Sequence, residues 1–415
     1  MKTFNEIQTV KTLDNGLTVI VQTKSNFKTT SALLGTYFGA LTLKQKINDE
    51  LITYPAGIAH FLEHKLFEPE EEDVLVTFTN MGASANAFTS YHETVCYFST
   101  TQDYQFPLKT LLDFVQNFNS DEEKTEKEKG IISQELLMYQ QIPQFQLFMT
   151  LFRAMYHNIA LNQDIAGNLD SVKATTLEDV MTAYRANYHP SQMVLSIVTD
   201  KDADEILDFV THHQAQKSFT ERMKLEEVIL EEPLAVVDDF VELVMDVNAT
   251  KVAVGFKQKF VTLSEKDIFY QELYLKYLMD IIFSPRNPKY QEWMDQKIIN
   301  DSFNYQYEIG LDYGYLVFVN ETEDHQSFKD FLVDQLSNIT ITTEDIEPLK
   351  RRYYRDGISA LEDADDLMVG NFRAHKQGIN IFEQIEALMK IELSDIQDFV
   401  DQISTDHFSM VKIKA

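Results

Sequence analysis

The stretch Leu177-Glu-Asp-Val-Met181, followed by Tyr188-His-Pro-Ser-Gln-Met-Val-Leu-Ser-Ile197, has a counterpart near the end of the chain. There Leu393-Ser-Asp-Ile-Gln-Asp-Phe-Val400 is followed by His407-Phe-Ser-Met-Val-Lys-Ile413. Each copy reads as a helix start, an aromatic-rich turn and a β-branched strand. A second echo precedes both: Gly130-Ile-Ile-Ser-Gln-Glu135 and Gly357-Ile-Ser-Ala-Leu-Glu362. Several echoes in one order point to a duplication. A chain of 415 residues is also long enough for two cores.

Outward from these stretches, the first half opens with strands Leu17–Gln22 and Ser31–Phe38, with Asp14-Asn15-Gly16 as the turn before them. Pro55-Ala-Gly57 introduces a helix running to about Phe67, where Glu68-Pro69 stops it, and a further helix is expected over 70–81. Strands Ser84–Ser90 and Glu93–Thr100 flank a turn. The segment 103–160 is helical in pieces, broken near Pro143, and a helix over 176–187 leads into the strand from Met193. The second half has strands Val236–Val247 and Lys251–Phe256 and helices near 265–282 and 324–337. Between the halves, 216–235 is dense in Lys and Glu, contains Pro233 and shows no clear strand. The expected fold is α+β: two homologous domains, each an antiparallel-rich sheet with helices packed on one face. Residues 1–220 make the first domain, 221–235 a linker and 236–415 a second domain without a metal motif.

Composition narrows the function. With 66 Asp+Glu against 36 Lys+Arg the net charge is −30, which disfavours nucleic-acid binding through phosphates. Self-repulsion and solubility explain such a charge, and it also sets up a field attractive to basic peptides. The single cysteine, Cys96, excludes an intramolecular disulfide framework, and its apolar setting makes it a small buried hydrophobe. The first residues carry no apolar targeting segment, and no stretch has the length of a membrane span, so the expected setting is cytoplasmic.

Chemistry concentrates in His60-Phe-Leu-Glu-His64. On a helix, positions i and i+4 share one face, so both imidazoles can converge on a single ion, with Glu63 beside them as a base for water. The order H-x-x-E-H is the inverted form of the common zinc-protease signature. A catalytic zinc needs a third protein ligand. Glu128 and Glu135, seven apart on one predicted helix face, are candidates, as are His92, His157 and His189, and spacing does not choose among them. The sequence offers no nucleophile triad: Cys96 reads as buried and no serine lies on an elbow motif.

Gly57-Ile-Ala-His-Phe-Leu-Glu-His-Lys-Leu-Phe67, Asn86-Ala-Phe-Thr-Ser90 with Glu93, Thr94 and Tyr97, and Glu128 followed by Glu135 together resemble the pitrilysin (insulinase-like) family of zinc metallopeptidases, most closely its short two-domain bacterial branch. The matches keep the family's order and nearly its spacing. The resemblance implies one Zn2+ per chain held by His60, His64 and Glu135, Glu63 as catalytic base, and Glu128 as a carboxylate orienting the ligands. It also implies that peptide substrates pair with an edge strand at Ser84, Ala85, Asn86, Ala87, Phe88 and Thr89. The implied activity is a zinc endopeptidase of peptides or unfolded segments. The alternatives are a non-catalytic scaffold or core subunit of a larger complex, and a purely structural zinc. Active relatives further use an Arg and a Tyr from a second domain. The matching stretch here, Tyr305–Tyr315, has tyrosines and no arginine. The expected partner is therefore a second subunit, in a homodimer or in a heterodimer with a homologue that supplies the Arg and Tyr.

Overall fold

The computed structural model describes residues 7–67, 74–261 and 264–415. Its strands are β1 (Ile7–Thr12), β2 (Thr18–Thr23), β3 (Thr30–Thr36), β4 (Lys44–Ile47), β5 (Glu50–Thr53), β6 (Ala83–Thr89), β7 (Thr94–Thr100), β8 (Met193–Thr199), β9 (Leu225–Glu227), β10 (Phe240–Val244), β11 (Lys251–Gln258), β12 (Asn304–Ile309), β13 (Gly314–Glu321) and β14 (Phe408–Lys414). One sheet has the order β1-β2-β8-β3-β7-β6 and the other β10-β14-β11-β13-β12. Without β1 the two orders are the same, strand for strand in chain sequence. Even the parallel pair recurs, β2 with β8 and β10 with β14, while the other pairs in both sheets are antiparallel.

The repeated stretches occupy equivalent places. Helices Leu177–Asn187 and Leu393–Val400 each begin with an aspartate that reaches back to the capping residue's N–H: Thr176 N donates to Asp179 and Glu392 N to Asp395, both at 2.8 Å. The strands that follow, β8 and β14, lie at the same position in their sheets. Duplication and the two-domain α+β architecture are thus present as expected.

Each sheet carries helices of its own half on one face, and the reverse face is covered by a helix from the other half. Helix Pro143–Met155 places Leu147, Leu151 and Met155 against Ala253, Val317 and Val411 of the second sheet. Helix Ala364–Lys376 places Leu367, Met368 and Phe372 against Ile20, Leu33, Val95 and Val194 of the first. Two glycines at equivalent points allow this approach. A Cβ on Gly35 of β3 would lie 2.9 Å from the Phe372 ring, and one on Gly255 of β11 would lie 2.3 Å from Met155 Sδ.

The break expected near Pro143 is present, between helices Glu122–Tyr139 and Pro143–Met155, and Pro143 occupies the first turn of the second, where its missing N–H costs nothing. Several boundaries differ from expectation. The segment 216–235 does contain a strand, β9, which joins β4 and β5 in a small sheet; three residues are too few to show a period. The strand expected over 236–247 is confined to Phe240–Val244. The helix expected over 70–81 is present as Val74–Asn80, and 70–73 lie outside the described residues.

Candidate metal and catalytic centre

Helix Ile58–Phe67 is amphipathic in a way that fixes the site. Ile58, Ala59, Phe61, Leu62 and Leu66 are buried in the first core, which turns His60, Glu63 and His64 to the opposite face. Its start is set by Gly57, whose φ of +91° and contact with Ala166 leave no room for a side chain: a Cβ would lie 2.3 Å from Ala166 O. That face looks toward β6 and helix Glu122–Tyr139.

His60, His64 and Glu135 converge so that their ligand atoms all lie within 4.8 Å of one another, the one such group among the described residues. Glu135 Oε2 is 3.8 Å from His60 Nε2 and 3.6 Å from His64 Nε2. These separations are too long for hydrogen bonds. They are close to the roughly 3.3 Å between neighbouring donors around a tetrahedral zinc with bonds of about 2.0 Å. Glu128 stands behind: its Oε1 is 2.8 Å from His64 Nδ1. A carboxylate there accepts a hydrogen bond from Nδ1–H, which keeps the proton on Nδ1 and leaves the Nε2 lone pair pointing at the convergence, as metal-ligating histidines require.

The electrostatics agree. Burial, then the neighbouring His64, pushes His60 down to about 3, so its ring is neutral and able to ligate. Burial alone would lower His64 too, but the hydrogen bond and charge of Glu128 outweigh it and raise the value. Burial raises Glu63, partly offset by a hydrogen bond from Thr89 and by His64. A carboxylate raised in this way is a better proton acceptor than a surface glutamate. Two imidazoles and a carboxylate, with a carboxylate–imidazole pair behind them, fit a zinc ion.

The hydroxyl of Thr89 donates to Glu63 Oε2 at 2.8 Å. Thr89 ends β6, the outermost strand of its sheet, which among the described residues pairs with β7 alone. The stretch Ser84–Thr89 therefore lies on one sheet edge that runs to the face carrying His60, Glu63 and His64.

Residues 52–169 match the family described as Insulinase (Peptidase family M16), and residues 174–353 the domain described as Peptidase M16 inactive domain. A Bacillus subtilis (strain 168) protein named "Uncharacterized zinc protease YmfH" is 30% identical over 406 residues, covering 97% of this chain and 95% of its own length. The chain belongs to the insulinase (M16) peptidase family. A crystal structure of an M16-like peptidase from Alicyclobacillus acidocaldarius, 29% identical, superposes with a TM-score of 0.93 over 99% of this chain and 98% of that one. The human mitochondrial-processing peptidase subunit beta is 31% identical over 162 residues, 38% of this chain and 33% of its own length. No helix among the described residues is long and apolar enough to cross a membrane.

Within this insulinase-family chain, the structure separates the candidates that spacing had left together. Glu135 joins the two histidines and Glu128 supports one of them. The other three candidate histidines are elsewhere. His92 bonds Glu308 of the second half at 2.7 Å, His189 caps its own turn through Ser191, and His157 is an exposed turn residue whose N–H is held by Glu232. Cys96 is buried, and burial lifts its thiol well above the ordinary range, which leaves it inert. Glu93, part of the family resemblance, is buried and paired with Arg373 at 2.7 Å. Sequence reasoning missed two links, Thr89 to Glu63 and His92 to Glu308. No periodic signal marks either, because both join positions far apart in the chain.

Proposed function

We propose that this chain is a zinc-dependent endopeptidase that cleaves peptides or unfolded segments, with Glu63 as the base. One observation carries the reading: His60, His64 and Glu135 converge beside a Glu63 that is tied to the edge strand through Thr89. Bound zinc supplies positive charge that acidifies water and polarises a carbonyl. Glu63 takes the proton of the attacking water and hands it to the leaving amine. Glu128 holds His64 in the ligating tautomer. The backbone of β6, over Ser84–Thr89, binds an extended peptide by strand addition, which favours unfolded substrates and gives modest selectivity. The catalytic half is residues 1–220, joined through 221–235 to the homologous half 236–415.

The active form is a dimer in this reading, with a homologous subunit supplying Arg and Tyr. Two facts support it. Tyr313 and Tyr315 both donate to Glu308 of their own half. Along the helix that carries Glu135 and just beyond it, Ile131, Leu137, Met138 and Ile142 are exposed apolar side chains available to a partner.

The test compares zinc content and peptide cleavage for the wild type and Glu63→Gln. The expected result is equal zinc in both and a fall in kcat of about 10²–10⁴-fold in the variant. Equal zinc with no cleavage by either protein, even with a homologous partner added, favours the scaffold. A wild type without zinc refutes the metal assignment.

A further inference from the structure

The turn that follows β6 is fastened from the other half of the chain. Thr89, which bonds Glu63, pairs with Thr94 at the end of the β6–β7 ladder, and Ser90–Glu93 make the turn between them. The turn is folded on itself: Ser90 N donates to Glu93 O at 2.8 Å, and the Ser90 hydroxyl accepts from His92 N and Glu93 N at 3.1 and 3.2 Å. The side chain of Glu93 is 5% exposed, and among the described residues Arg373 is its one ion-pair partner. Arg373 Nε and Nη2 both donate to Glu93 Oε1, at 2.8 and 2.7 Å.

Arg373 lies in the last turn of helix Ala364–Lys376, the second-half helix that covers the first sheet. The reciprocal helix ends in the same way. Tyr156, the residue after helix Pro143–Met155, is buried, and its hydroxyl donates at 2.9 Å to the carbonyl of Gly314, where the β12–β13 turn enters β13. In both halves, then, the end of the covering helix fastens the hairpin turn of the sheet beneath it. The first of these turns adjoins the Thr89–Glu63 bond. His92 in that turn also reaches the second half, through Glu308, but Glu308 keeps two tyrosine hydroxyls if that bond is lost. Glu93 has no such reserve: without Arg373 a buried carboxylate is left with no cation, and the turn must open to solvate it.

We infer that Arg373 is a positioning residue: from the second half it fixes the β6–β7 turn through Glu93, and so holds Thr89 against Glu63. The inference rests on the peptidase reading for its kinetic consequence and on the contacts for the clamp itself. It gives the second half of the chain a part in the chemistry of the first.

The experiment compares zinc-loaded full-length wild type, Arg373→Met, and the double variant Glu93→Gln/Arg373→Met. Hydrogen exchange read by mass spectrometry follows the turn without any need for activity. In Arg373→Met, peptides spanning 88–94 should exchange about tenfold faster, the factor for losing hydrogen bonds to a charged group, while β8 is unchanged. On an unstructured peptide kcat should fall about tenfold with KM within about twofold, because Ser84–Phe88 stay paired with β7. In the double variant a neutral Gln needs no cation, and both readings should return to within about threefold of wild type. Unchanged exchange in Arg373→Met overturns the inference. So does faster exchange with kcat unchanged, equal acceleration in β8, or a double variant no better than the single one. Should Arg373→Met not fold, Arg373→Lys, which keeps the charge and loses the forked contact, is read in its place with an expected factor of about three. If the turn quickens and the double variant restores it while wild-type chain cleaves nothing, the clamp stands and the peptidase reading fails.

Discussion

Each half of the molecule contains a corner between a long helix, an edge strand and a second helix, and the two corners end in opposite chemical states. In the first half, helix Ile58–Phe67, β6 and helix Glu122–Tyr139 bring together His60, His64, Thr89 and Glu135, with donor atoms 3.6 and 3.8 Å apart that do not satisfy one another. In the second half, helix Glu265–Phe283, β12 and helix Thr343–Ala360 meet at Asp280. Its carboxylate accepts from Tyr305 at 2.5 Å and Tyr353 at 2.6 Å, with Arg352 at 3.4 Å. The second corner is closed by its own hydrogen bonds. The first holds a set of lone pairs that a cation would complete. The same fold therefore supports a structural corner or a chemical one, and the side chains at a few equivalent points decide which.

The largest effect that can break this comparison concerns what the halves share. Phe372, fully buried, belongs to the second half and covers the first sheet over Gly35. Phe372→Ala leaves a cavity there and is expected to cost about 3–5 kcal/mol. Because each half covers the other, denaturant unfolding followed by fluorescence and by circular dichroism should give one coincident transition. Two separate transitions, or a cost under about 1 kcal/mol, would show that the halves are independent units.

The next effect sharpens the difference between the corners. Glu128→Gln removes the charge behind His64 without touching the proposed ligands His60, His64 and Glu135. Zinc affinity, read by competition with a chromophoric chelator, should fall about 10–100-fold with the fold intact. An unchanged affinity would mean that Glu128 does not set the His64 tautomer.

Much of the first corner was readable from sequence, for a definite reason. His60, Glu63 and His64 lie within five residues on one helix, so helical geometry alone places them together. The candidate third ligand was not readable from spacing, and only the family resemblance singled out Glu135. Glu128 and Glu135 are seven apart, which puts both on one face, and their roles depend on how that helix crosses the first. The duplication was legible because the capping aspartates Asp179 and Asp395 recur in front of β8 and β14. The exchanged helices were not, since an amphipathic pattern says that Leu147 or Leu367 is buried but not against which sheet. Gly35 and Gly255, inside strands β3 and β11, were the available hint. The second corner left no trace because Asp280, Tyr305 and Tyr353 carry no spacing that distinguishes them from core and surface residues.

That closed corner supplies the smallest of the expected effects. Asp280 is largely buried, with 17% of its side chain exposed, so its negative charge is tolerable because two hydroxyls and a guanidinium meet it. Asp280→Asn keeps the shape and one acceptor oxygen. The tyrosine hydroxyls can rotate to accept from the new amide, and Arg352 retains Asp356 at 3.6 Å. The net change is the loss of charge assistance in two hydrogen bonds, about 1–2 kcal/mol of stability in thermal or urea unfolding. Zinc content should not change, because the corner makes no part of the ligand set. A variant that instead loses zinc would show that the two corners are coupled across the crossed helices. The contrast between a chemical corner and a structural one would then have to be abandoned in favour of a single extended site.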